Sequence, residues 1–126
     1  MIRYRYNHQF SPPAPFVHVS LQGLERAAAI ADLPAQLDTA ADMTVVPAGL
    51  VERLGLVPFG TVQVLAFGSI LTTVSTFLAR VQIRGPEAVV NKIVSSAEEP
   101  HVLLGRDLLK RHRILLDGPR GVLKVD

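Results

Sequence analysis

Short apolar runs separated by glycine and proline predict a chain built mainly of β-strands. Residues 16–21 alternate between apolar and polar positions, which predicts the first strand. Residues 61–65 and 70–83 are rich in Val, Thr, Phe and Leu and flank a Gly-Ser turn, so they predict a hairpin. Further strands are predicted at residues 34–37, 44–46 and 89–94, and residues 114–125 predict a strand, a turn and a strand.

Helices and loops occupy little of the predicted structure. Pro47 suits the start of a helix over residues 48–54, and Gly55 suits its end. A second short helix is predicted at residues 108–112. Residues 24–32 are predicted to form a loop, and residues 1–15, which contain a Ser-Pro-Pro-Ala-Pro run, are predicted to be an extended arm outside the core.

Length and composition are those of one globular domain. The chain has 126 residues, of which 48% are hydrophobic and 19% charged, unlike the composition of a disordered chain. No run approaches the roughly 20 apolar residues that cross a bilayer, and no signal sequence is visible, so we expect a cytoplasmic protein without a membrane partner. Cysteine is absent, which excludes disulfides and thiolate chemistry.

Other candidate chemistries are weakly supported. The formal charge is +2, and the one basic cluster, residues 106–113, is most simply a solvated helix face. A small barrel that binds nucleic acid therefore ranks third among the possible functions, behind the two that the motifs described next support. No nucleic-acid partner is expected. The four histidines lack the spacing of a zinc site, so no metal is expected.

Two motifs carry stronger chemical information. In Leu37-Asp38-Thr39-Ala40-Ala41-Asp42, an apolar strand is followed by an Asp-Thr pair and two small residues, which places the carboxylate of Asp38 on a tight turn where it can face a cleft. The second motif, Val102-Leu103-Leu104-Gly105-Arg106-Asp107-Leu108-Leu109, joins an apolar strand to a short helix through Gly-Arg-Asp.

In this order, the two motifs resemble the signatures of retropepsin-like aspartic proteases, and the resemblance covers about residues 14–125. It implies a mostly β fold, a small closed barrel with one or two short helices, in a protease domain of residues 16–126. It also implies a flap hairpin with Phe67, Gly68 and Ser69 at its tip, which closes over a bound peptide.

The resemblance also implies the catalytic arrangement. Only one Asp-Thr turn is present, so two chains would form a homodimer in which Asp38 of each subunit contributes to one dyad that hydrolyses peptide or protein substrates. No cofactor is required. Thr39 and Ala40 would support the dyad, Thr39 by hydrogen bonds across the subunits beneath it and Ala40 by backbone contact with the substrate. Ala41 would belong to the substrate-binding site. Asp42 and Arg106 would form a bidentate, partly buried ion pair, whose loss in Arg106→Ala is expected to abolish dimerisation.

Ala40 stands where the family usually has glycine. If the turn needs a positive φ at this position, the Cβ atom costs about 1–2 kcal/mol per subunit. The alternative function is therefore a catalytically silent dimer of the same fold that acts as a peptide-binding or assembly module. Because Ala41 has no hydroxyl group to donate to the dyad, we expect an active enzyme to work best at mildly acidic pH.

Overall fold

The structure, a computed structural model, describes residues 1–25, 29–65, 70–84 and 87–126, and most of the described chain is β-strand. The strands and helices, numbered in chain order, are β1 Ile2–Arg5, β2 Phe16–Gln22, β3 Ala29–Leu37, β4 Thr44–Pro47, α1 Ala48–Leu54, β5 Pro58–Leu65, β6 Leu71–Ile83, β7 Val89–Ser96, β8 Val102–Leu104, α2 Arg106–Leu109, β9 Ile114–Asp117 and β10 Val122–Val125.

Six strands close into a mixed barrel in the order β2-β3-β8-β4-β7-β6, because β2 pairs with both β3 and β6. The β3–β8 and β4–β7 pairs are parallel, and the other pairs in the ring are antiparallel. Strand β5 pairs with β6 outside the ring, so β5 and β6 form the predicted hairpin. The mostly β fold with a closed barrel and two short helices is therefore confirmed.

The alternation of side chains along the strands fills the barrel. In β6, Ala79, Val81 and Ile83 are at most 2% exposed, whereas Arg80 and Gln82 between them face outward. Helix α1 covers the barrel with Val51 and Leu54, and Gly55 ends it at a φ of 60°. Both bounds of this helix agree with the prediction. No helix within the described residues is long and apolar enough to span a membrane.

A second, three-stranded sheet has the order β1-β10-β9. The prediction that residues 1–15 lie outside the core is wrong for Tyr4, which is 8% exposed and packs in the hydrophobic core cluster. Its hydroxyl group donates a hydrogen bond to the carbonyl oxygen of Arg84 at 3.4 Å. The extended conformation was predicted, but the pairing of β1 with β10 was not, because it joins opposite ends of the chain.

Two further predictions need correction. Residues 24–32 are not a loop throughout, since β3 already begins at Ala29 and pairs Ile30 with Leu21 of β2. Here pairing with a neighbouring strand decides the conformation. The helix predicted at residues 108–112 instead spans Arg106–Leu109 and continues as turns, in which the N–H groups of Arg111 and His112 bond to carbonyls three residues back.

Candidate active site

The Asp38 turn begins where β3 leaves the barrel. The N–H group of Asp38 donates to the carbonyl oxygen of Leu104 in β8 at 3.0 Å, which continues the parallel β3–β8 ladder by one residue. One oxygen of the Asp38 carboxylate accepts the N–H group of Ala40 at 3.1 Å, and the Asp38 carbonyl accepts that of Ala41 at 3.2 Å. Such a bond from a side chain to the backbone two residues on is an Asx turn. It orients a partly exposed carboxylate at the barrel rim.

The second motif lies directly against this turn. The N–H groups of Arg106 and Asp107 donate to the carbonyl oxygens of Ala41 and Asp42 at 2.9 and 3.3 Å. Gly105 permits this approach, since a Cβ atom there would lie 2.5 Å from the backbone carbon of Met43. The two sequence motifs therefore form one structural unit.

Arg106 and Asp42 form an ion pair, but its form differs from the expectation. One terminal nitrogen of the guanidinium group contacts the Asp42 carboxylate, and the other donates to the carbonyl oxygen of Thr39 at 2.6 Å. The pair is not bidentate, and in the single chain it is not buried, because the two side chains are 53% and 84% exposed. The Arg106 guanidinium group instead contacts both ends of the Asp38 turn. Because the pair is exposed, the large loss of stability expected when one partner of a buried pair is removed does not apply to the isolated subunit.

The Asp107 carboxylate joins the second motif to β4 and β7, a role that was not predicted from the sequence. One of its carboxylate oxygens accepts the hydroxyl of Thr44 at 2.8 Å and the N–H group of Leu108, also at 2.8 Å. The other accepts the N–H group of Thr44 at 3.1 Å and the side-chain amide of Asn91 at 3.0 Å. Thr44 and Asn91 are buried polar residues of β4 and β7. The threonine two residues after the first motif was the one signal in the sequence, but its partners lie far along the chain.

The remaining predicted site residues are placed as follows. Ala40 has a negative φ and an exposed side chain, so the backbone strain considered for a positive φ is absent. Thr39 is also exposed, and Ala41 is half-buried. Phe67, Gly68 and Ser69, predicted as the flap tip, lie outside the described residues, although the hairpin arms below them pair as far as Leu65 and Leu71.

The described residues contain no cluster of three or more His, Asp or Glu side chains that could hold a metal ion. In the basic cluster at residues 106–113, the Arg106 guanidinium group is already engaged by Thr39 and Asp42. The chemistry available at the rim is therefore that of the Asp38 carboxylate and the backbone groups around it.

Comparisons with known proteins agree with this geometry at the level of the fold. A retropepsin-like aspartic protease from Rickettsia conorii is 15% identical, with a TM-score of 0.66 over 97% of this chain and 86% of that chain. The retroviral protease-like domain of Ddi1 from Leishmania major is 16% identical, with a TM-score of 0.53 over 90% of this chain and 88% of that one. The EIAV protease, solved with the inhibitor HBY-793, is 24% identical, with a TM-score of 0.53 over 86% and 93%.

No protein-family model matches the sequence, and no curated protein matches it either. At these identities the structural matches establish the fold, and they extend over nearly the whole chain. The chain therefore has the fold of the retropepsin-like aspartic proteases, with its Asp-Thr turn at the barrel rim.

Proposed function

We propose that this protein is an aspartic endopeptidase that works as a homodimer, with Asp38 of each subunit in a shared dyad. One observation carries the proposal: the Asp38 carboxylate is partly exposed on a turn that is held rigidly from both sides. Among the described residues, its only hydrogen bond is from the N–H group of Ala40. The carboxylate is thus oriented and still has free acceptor sites for a water molecule and a second carboxyl group.

Peptide hydrolysis by this route requires two carboxyl groups that share one proton. The ionised group accepts a proton from the attacking water molecule, while the protonated group donates a hydrogen bond to the carbonyl oxygen of the substrate. Like charges about 3 Å apart cannot both ionise, so such a pair holds one proton, as in aspartic proteases generally. The scissile C–N bond breaks when the proton shared by the two carboxyl groups passes to the leaving amine.

A second subunit supplies the missing carboxyl group. The sequence has one Asp-Thr turn. Of the other carboxylates in the two motifs, Asp42 is paired with Arg106, and Asp107 is used as an acceptor for Thr44, Asn91 and Leu108. A twofold axis beside Asp38 would bring two copies of the turn together. The exposed Thr39 side chain is available to bond across that axis.

The test is cleavage of a pooled peptide library between about pH 4 and 7, a range that lies above the ordinary pKa of an aspartate side chain. Wild type is compared with Asp38→Asn, and the dimer fraction is recorded for each. Asp32→Asn is the matched control, because Asp32 lies on β3, the strand that leads into the Asp38 turn, but contacts Arg84. Its φ of 55° suits asparagine as well as aspartate.

We expect cleavage by wild type and by Asp32→Asn, and none by Asp38→Asn while its dimer persists. Cleavage that survives Asp38→Asn would overturn the proposal. A well-formed dimer that binds peptides without cleaving them, unchanged by Asp38→Asn, would also overturn it and would identify a silent peptide-binding module.

A further inference from the structure

We propose that the outer face of the three-stranded sheet binds an acidic segment of a partner protein, in which carboxylates flank one apolar side chain. Side chains alternate between the two faces of a sheet. One face packs inward through Tyr4 and Leu123, which belong to the hydrophobic core cluster. The other face, called the basic face below, bears the side chains of Arg3, Arg5, Arg113, Leu115, Asp117, Val122, Lys124 and Asp126.

The strand register brings cations together on the basic face. Arg3 of β1 lies directly opposite Lys124 of β10. They form a non-bonded pair, because bonded and non-bonded pairs alternate and the N–H group of Tyr6 donates to the carbonyl oxygen of Gly121 at 2.8 Å. Side chains approach closely in such a pair, and like charges directly opposite each other destabilise a sheet. Arg5 adds a further cation two residues along the same side of β1.

The cations of β1 and β10 are not neutralised within the described part of the chain. Its three ion pairs include none of the side chains of Arg3, Arg5 and Lys124, which are all exposed. The Asp117 carboxylate is directed instead towards Arg120, which lies in the turn before β10, at 3.7 Å. The basic face therefore keeps unpaired positive charge at the place where two cations lie opposite each other.

The excess of positive charge is local. Among the described residues, the basic face and the adjoining turn hold five of the 13 basic residues of the chain, but two of its 11 acidic residues, Asp117 and Asp126. The face thus has a formal charge of +3, and since the whole chain has +2, all other residues together have −1. Charge concentrated in this way attracts a partner of opposite sign and orients it.

The apolar residues of the basic face favour a peptide as the partner. A depression of about 180 Å³ is lined by Arg3, Leu115, Asp117, Arg120, Val122 and Lys124. Leu115 is 52% exposed, so it can contact an apolar side chain. An apolar centre with a polar rim is typical of protein interfaces. The described residues of this face include no aromatic side chain on which a nucleic-acid base could stack.

The pair of Arg3 and Lys124 allows binding to be separated from stability. In Arg3→Glu the two opposite positions carry opposite charges, so we expect Tm to rise by about 2–4 °C. The same substitution places a carboxylate where the carboxylates of the partner would lie, so we expect binding to weaken. If Arg3 served only the fold, its replacement would not produce these two opposite changes.

The experiment is an amide NMR titration of the full chain at low salt with the capped peptide Glu-Glu-Leu-Glu-Glu. The control peptides Gln-Gln-Leu-Gln-Gln and Glu-Glu-Ser-Glu-Glu lack the charges and the apolar residue, respectively. The protein variants are Arg3→Glu, Lys124→Glu and the double variant. Arg80→Glu is the matched control, because it makes the same change of charge at an exposed arginine of β6 in the barrel.

We expect the acidic peptide to shift the amide signals of β1, β9 and β10. Arg3→Glu and Lys124→Glu should each weaken binding about tenfold, whereas Arg80→Glu should bind as wild type does. The double variant should lose the acidic peptide and bind Lys-Lys-Leu-Lys-Lys instead. Both control peptides should bind about fivefold more weakly than the acidic peptide, or worse.

Several results would overturn the proposal: no binding of the acidic peptide, equal weakening by Arg80→Glu, or no rise of Tm in Arg3→Glu. Tighter binding of a single-stranded oligouridylate to the same face would also overturn it and would identify a nucleic-acid surface. The proposal goes beyond the proposed function, because no residue of the basic face belongs to the candidate active site. Asp38→Asn should therefore bind the peptide as wild type does, whether or not the protein is a protease.

Discussion

The carboxylate of Asp107 accepts hydrogen bonds from both the hydroxyl and the N–H group of Thr44, at 2.8 and 3.1 Å. The contact joins the first turn of α2 to the start of β4, directly behind the Asp38 turn. The hydroxyl oxygen of Thr44 in turn accepts the N–H group of Gly105 at 3.2 Å. The two motifs are therefore held together by a polar network beneath the candidate catalytic residue.

Replacing Asp107 should destabilise the fold. In Asp107→Asn one acceptor oxygen becomes a donor, and two of the four donors around it lose their partner. We expect the free energy of unfolding to fall by about 2–4 kcal/mol, as for unsatisfied groups that had bonded to a charge. Urea unfolding at neutral pH measures this. Glu98→Gln, at an exposed carboxylate, is the control, and an equal change in both variants would contradict the network's role.

Two glycines should respond oppositely to alanine. Gly105→Ala places a Cβ atom against the backbone of Met43, so we expect a loss of about 1–3 kcal/mol and a displaced second motif. Gly49 lies in α1 with nothing within 4 Å of its would-be Cβ atom, so Gly49→Ala should stabilise by about 0.5–1 kcal/mol. Thermal unfolding of both variants measures the difference, and the same sign for both would refute the steric argument.

Arg106→Lys should affect activity more than stability. A lysine has one terminal nitrogen and cannot contact the Thr39 carbonyl and the Asp42 carboxylate in the fixed geometry of a guanidinium group. The Asp38 turn therefore loses the bridge between its two ends. Because the pair is exposed in the subunit, the free energy of unfolding should change by less than about 1 kcal/mol. The control is Arg84→Lys, at an equally exposed pair with Asp32. Unchanged peptide cleavage in Arg106→Lys would show that the Asp38 turn keeps its geometry without the two contacts of the guanidinium group.

Ala40→Gly tests the departure from the family pattern. Ala40 already has a negative φ, so glycine gains no relief of backbone strain and adds freedom to the unfolded chain. We expect a stability loss of about 0.4–1 kcal/mol and no gain in peptide cleavage. Cleavage that rises in Ala40→Gly, measured on the same peptides, would show instead that the alanine methyl group crowds the substrate.

Tyr4 should make stability fall at alkaline pH. Burial of its ring raises the pKa of Tyr4 above 10.0, its ordinary value. The unfolded chain therefore releases this proton at lower pH than the folded chain does. The stabilisation is complete below about pH 10 and is lost as the pH rises further. Thermal unfolding at several pH values above 8 should show a shallower decline for Tyr4→Phe, and equal slopes would refute the assignment.

Features set by neighbouring residues could be predicted from the sequence. Helix α1 was predicted with its correct bounds because Pro47 and Gly55 act locally. The closed barrel and the place of Asp38 on a turn followed from the motif resemblance and from strand patterns. The ends of predicted elements were less accurate where a partner strand decides, as at Ala29 in β3.

Features set by distant residues could not be predicted in this way. Nothing near Asp107 in the sequence indicates that Thr44 and Asn91 will surround it, because the contacts exist only after β4, β7 and α2 have assembled. The pairing of β1 with β10 has the same character. The exposure of the Asp42–Arg106 pair is likewise a property of the folded surface, which composition does not encode.

The β5–β6 hairpin has a consequence for local stability. Strand β6 pairs with β7 only from Thr76 onward and with β2 only from Arg80 onward, so residues 61–65 and 71–75 form a ribbon of two strands. Two strands without a third are marginally stable in water. The backbone amide hydrogens of this ribbon can therefore exchange with solvent through local opening, whereas those of the six-stranded ring exchange only when the whole barrel unfolds.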